Sequence, residues 1–126
     1  MNELFIEKLK ENFNGKFVVK SNDESTYIEF PEKSNEFGNI EIYEEYPGGY
    51  IVIVGKFTHT HFDYYEGSEE EITIKIADDI SEFLEEVFSD KIICYGSHLG
   101  GGGWFTADHC RAIDCEKFVW SGKYKG

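Results

Sequence analysis

The chain has 126 residues, 40% hydrophobic and 29% charged, with 25 acidic against 12 basic residues and a formal net charge of −13 at pH 7. That length is one domain's worth, enough to bury a core without disulfide or metal, and the acidic balance excludes nucleic-acid phosphates and anionic lipid as natural partners. No apolar stretch reaches the roughly 18 residues of a membrane span, Met1-Asn2-Glu3 leads into an amphipathic pattern rather than a signal peptide, and the three cysteines, Cys94, Cys110 and Cys115, lack a C-x-x-C pair and fit reduced thiols in a cytoplasmic protein.

Residues Glu3–Phe13 place Leu4, Phe5, Leu9 and Phe13 on one side, which predicts a short helix stopped by Asn14-Gly15. Lys16–Lys20 and Thr26–Phe30 alternate as strands around the turn cluster Ser21–Ser25, giving a first hairpin. Pro31–Gly38 reads as a polar loop. Ile40, Ile42 and Tyr46 then alternate with Glu41 and Glu45 in a third strand, and Pro47-Gly48-Gly49 turns the chain into a fourth, Tyr50–Phe62. The start of that strand is apolar on both faces, so it is expected at the centre of the sheet, with Gly55 marking a bulge.

Ser68 with Glu71 three residues on fits a capping box. Ile72, Ile76, Ile80, Phe83, Leu84 and Val87 then recur at helical spacing, while Asp78, Asp79, Glu82, Glu85 and Glu86 lie opposite. After this long helix, Lys91–Tyr95 reads as a strand, and Trp104–Thr106 and Lys117–Ser121 as two more joined through Asp108–Glu116. Strands in runs rather than strict alternation predict an α+β fold. It has one antiparallel sheet of about six or seven strands, with the N-terminal helix and the long amphipathic helix packed on it as a single domain, 1–126.

Charge is concentrated on and before the long helix, since residues 63–90 hold 11 acids and a single base. Asp78, Glu82, Glu85 and Glu86, three or four apart, repel one another by a few tenths of a kcal/mol per pair, a cost best explained if the face meets positive charge. These residues, with Gly100, Gly101 and Trp104 of the glycine-rich loop as an adaptable lip, are the expected binding surface for a basic protein. A solvating role for the same carboxylates is the competing explanation.

His59, His61 and Asp63 share a strand face by parity, together with Ile51, Ile53 and Phe57, and suit a divalent metal, with His98 or His109 completing the set. Satisfied polar residues at the end of a half-buried strand explain the same pattern. His109-Cys110, Cys115 and His98 lie near Arg111 but within no nucleophile motif, so the cysteines read as small buried residues. The run Gly100–Gly103 lacks the Gly-Lys-Ser/Thr ending of a phosphate loop and reads as a mobile hairpin tip. No motif calls for a cofactor.

The block Val54–Asp63, the acidic helix and Trp120-Ser121-Gly122 together resemble small acidic uncharacterised bacterial proteins, a resemblance that spans roughly Val54–Gly122 and implies no activity. In size and acidity the chain looks like the immunity proteins that neutralise secreted bacterial toxins, which would make its partner a basic protein such as a toxin. The expectation is a non-enzymatic cytoplasmic binding domain. A small metal-dependent enzyme or ligand-binding domain built on His59, His61 and Asp63 is the alternative.

Overall fold

The computed structural model describes residues 1–64, 66–97, 101–107 and 116–124. Helix α1, Glu3–Phe13, starts where the Asn2 side chain accepts from the backbone N–H groups of Leu4 and Phe5, satisfying donors that have no partner inside the helix. Strands β1 (Val18–Ser21) and β2 (Thr26–Phe30) follow, then β3 (Ile40–Tyr46), β4 (Gly49–Val54) and β5 (Thr58–Asp63). All five pair antiparallel in chain order. Between β1 and β2, Asn22 accepts from the N–H groups of Glu24 and Ser25 and closes the turn.

The expected single strand Tyr50–Phe62 is a hairpin, not one strand with a bulge. Gly55 has φ +57, and a Cβ there would lie 2.3 Å from the Phe37 carbonyl oxygen, so only glycine fits the turn. Phe57 disguised this turn in the sequence. It is buried among Phe37 and Phe118, not aligned with the histidines of β5.

Helix α2, Glu69–Phe88, starts at Ser68, whose hydroxyl accepts from the Glu71 N–H at 3.1 Å. The other half of the predicted capping box differs, because the Glu71 carboxylate accepts from the Ser68 hydroxyl. At the far end the N–H groups of Lys91 and Asp90 donate to the carbonyls of Glu86 and Val87, the bonding of a Schellman cap. Asp90 takes the left-handed position, φ 60, and its carboxylate accepts from both the N–H and the hydroxyl of Ser121.

The remaining strands do not extend the first sheet. β6 (Ile92–Tyr95), β7 (Gly103–Thr106), β8 (Lys117–Val119) and β9 (Gly122–Lys123) form a second antiparallel sheet in the order β7-β6-β8-β9. The fold is therefore α+β with a five-stranded and a four-stranded sheet, which corrects the single sheet expected from the sequence. The predicted strand Lys117–Ser121 ends at Val119, and Trp120-Ser121 turn the chain into β9.

Strand parity sorts the five-stranded sheet into two faces. Ile28, Ile40, Ile42, Tyr50, Val52 and Val54 point inward against Phe5, Leu9 and Phe13 of α1 and Ile76, Ile80, Phe83, Leu84 and Val87 of α2, all buried. Ile92, Cys94 and Trp120 belong to the same cluster, so the second sheet closes the core from the side. On α2, Thr73, Ala77 and Ser81 form a buried row of small residues at i, i+4 spacing. Asn2 donates to Thr73 across the junction with α1.

Shortening Ile80, fully buried, to Ala should cost about 2–5 kcal/mol in a urea melt. The opposite sign is expected one residue on. The Ser81 hydroxyl is buried with no hydrogen-bond partner among the described residues, so Ser81→Ala should stabilise the chain by about 1 kcal/mol, through a removed desolvation penalty and a better helix former.

Candidate partner-binding surface

Helical spacing sets three flanks on α2. One is the apolar stripe, one is the small-residue row against α1, and the third carries Asp79, Glu82 and Glu86 beyond the edge of the sheet. On this third flank Asp79, Glu82 and Glu86 join Phe62 of β5 and Phe83 of α2 to line a shallow depression of about 270 Å³. Phe62 and Phe83 meet edge to face at 5.8 Å between ring centroids, and Trp104 of β7 meets Phe83 the same way at 5.1 Å. The sequence thus places an aromatic floor under an acidic rim, with Trp104 of β7 packed against Phe83 of that floor.

Among the described residues no ion pair involves a carboxylate of α2. Lys75, the one base in α2, holds its ammonium 4.7 Å from the centroid of the Tyr64 ring, and the Tyr64 hydroxyl donates to Asp79. That bond, followed by partial desolvation, raises the Tyr64 pKa.

The residues singled out from sequence are only partly brought together. Glu82 and Glu86 line the depression with Trp104 nearby, whereas Asp78 and Glu85 are exposed and lie on the side of the helix farther from it. Gly101 is exposed, and Gly100 lies outside the described residues. Gly102 has a packing reason for being glycine, since a Cβ there would come within 2.2 Å of the Phe57 carbonyl oxygen. The described part of the loop is therefore seated on the β4–β5 turn. Asp79, Phe62 and Phe83 were not singled out as site residues, and only the pairing of β5 beside α2 reveals their role.

His59, His61 and Asp63 occupy the outer face of the five-stranded sheet, across from Ile53, Ile51 and Gly49. The two imidazoles meet edge to face at 5.1 Å, His61 Nδ1 lies 2.9 Å from Glu45 Oε1, and the Tyr46 hydroxyl donates to Asp63 at 3.2 Å. No three His, Cys, Asp or Glu side chains among the described residues are arranged to hold a metal ion. His98, His109, Cys110, Arg111 and Cys115 lie outside the described residues. Cys94 is buried in the core, and burial pushes its thiol up to about 12, so it carries no thiolate at neutral pH.

The same outer face holds a stacked pair, Tyr27 and Tyr43, at 4.9 Å, and the Tyr43 hydroxyl donates to Glu41 at 3.0 Å. Partial burial, then the Glu41 bond, pushes the Tyr43 pKa from 10.0 up to about 12. A raised folded-state value means that the native state holds this proton longer than the unfolded chain. The stabilisation is complete below pH 10 and is lost as pH rises towards 12. Unfolding midpoints measured across that window should fall with pH, and Tyr43→Phe should flatten the fall.

Comparison of the chain with protein-family models, with curated proteins and with solved structures finds no match.

Proposed function

We propose that this chain is a non-enzymatic binding domain, of the inhibitor or immunity type, that docks a basic protein on the third flank of α2. The observation that carries the reading is the depression framed by Asp79, Glu82 and Glu86 over Phe62 and Phe83. A Lys or Arg side chain placed there meets carboxylates with its head and aromatic carbon with its stem, a pairing that uses both halves of an amphipathic side chain. The like charges at i, i+4 have no cation among the described residues to offset them, so a basic partner relieves a repulsion already present in the free protein. Trp104 adds the rigid aromatic contact in which binding energy concentrates. Asp78 and Glu85, away from the depression, serve by steering the encounter through their field.

Reversing Glu82 and Glu86 to Lys tests this reading. The double variant should melt at or slightly above the parent temperature. Association with a hexa-arginine peptide at low salt should weaken about tenfold or more, and its dependence on salt should shrink. Unchanged binding would assign these carboxylates to solvation and move the docking surface elsewhere.

A further inference from the structure

Lys16, at the exit of α1, and Lys33, in the loop after β2, border one cleft of about 240 Å³ with Phe30, Pro31, Phe88 and Trp120. Its walls are aromatic. Phe88 meets Trp120 at 5.0 Å and Phe30 at 5.3 Å between ring centroids. Phe30 and Trp120 are buried and Phe88 is partly exposed. Among the described residues no carboxylate lines the cleft.

In a chain with 25 acids and 12 bases, a lysine has many carboxylates to pair with. Lys8, Lys20 and Lys123 do pair, with Glu11, Glu29 and Glu116. Lys56 donates to the Asn35 carbonyl and Lys75 sits over Tyr64. Among the described residues the side chains of Lys10, Lys16, Lys33 and Lys91 have neither hydrogen bond nor ion pair, and two of these four, Lys16 and Lys33, stand together at this aromatic cleft. The C-terminus of α2 lies beside it and would ordinarily repel an anion. Here the carbonyls of Glu85, Glu86 and Val87 already accept from the N–H groups of Ser89, Lys91 and Asp90, which blunts that effect.

We infer that this cleft binds a small planar aromatic anion, with the ring between Phe88, Phe30 and Trp120 and the negative group held by Lys16 and Lys33. The volume is below the roughly 300–1,000 Å³ of a drug-sized site, so the ligand is limited to one or two fused rings. The overall charge of −13 does not forbid this, because at physiological salt a field is screened over about 8 Å and the nearest charges decide.

The test uses the whole isotope-labelled chain, naphthoate as probe, and the indole N–H signals of Trp104 and Trp120, the two tryptophans of the sequence. Naphthoate should move the Trp120 signal saturably and leave Trp104 in place. Naphthamide, neutral and of the same shape, should bind about tenfold more weakly or worse, and naphthylmethylamine should not move Trp120. Because Lys16 and Lys33 are exposed, Lys16→Gln with Lys33→Gln should fold normally and bring naphthoate down to the affinity of the amide. Equal binding of acid and amide, an unchanged affinity in the double variant, or no saturation by about 10 mM would each overturn the assignment. Movement of Trp104 in place of Trp120 would do the same.

Discussion

The seating of α2 is the constraint on which the rest of this structure depends. Its apolar stripe joins the layers: Ile76, Ile80, Phe83, Leu84 and Val87 share one buried cluster with α1, with the inner face of the five-stranded sheet, and with Ile92, Cys94 and Trp120. The five-stranded sheet could not bury its inner face without it, since its outer face is turned to solvent. The length of α2 follows from the same demand. A helix of 20 residues spans about 30 Å, enough to run from the β3–β4 turn, where Glu69 and Ile72 lie near Pro47 and Gly48, to Trp120, which meets Phe88 at the other end.

How much of this was legible depends on whether the information was local. The start of α2 was readable, because Ser68 is a cap followed by a periodic stripe, and every stripe residue from Ile76 to Val87 is buried as its spacing required. The turn at Gly55 was not, because Gly-Lys-Phe carries an aromatic residue where turns are usually polar, and Phe57 is apolar for a partner, Phe118, that lies 61 residues later in the chain and stacks on it. The division into two sheets was also hidden. Alternation marks a strand but does not name its neighbour, and β9 has only two residues, too few to show any period.

The candidate site was half legible for the same reason. Glu82 and Glu86 could be placed on a solvent-facing flank from their spacing alone. Their aromatic floor could not, because Phe62 belongs to a strand whose direction was reversed by the missed hairpin. The histidines show the converse. Parity correctly put His59 and His61 on one face, yet the face is the open one, and His61 is matched by Glu45 of β3, a neighbour that only strand pairing supplies.

The charge pattern then follows from how α2 is held. Acidic residues in its first turn, Glu69, Glu70 and Glu71, oppose the positive end of the helix and stabilise it, but that logic ends within a turn and cannot account for Glu82 and Glu86 near the other end. Those two sit where the helix dipole is unfavourable and where no base is available on α2's last turn. The cations that would have balanced them are placed on other elements, and Lys16 and Lys33 face the aromatic cleft beyond Phe88 instead. One helix thereby separates two surfaces of opposite sign, an acidic one along its flank and a basic one past its C-terminus. Folding stability alone favours mixing those charges, so their separation is the physical reason to look for ligands at both.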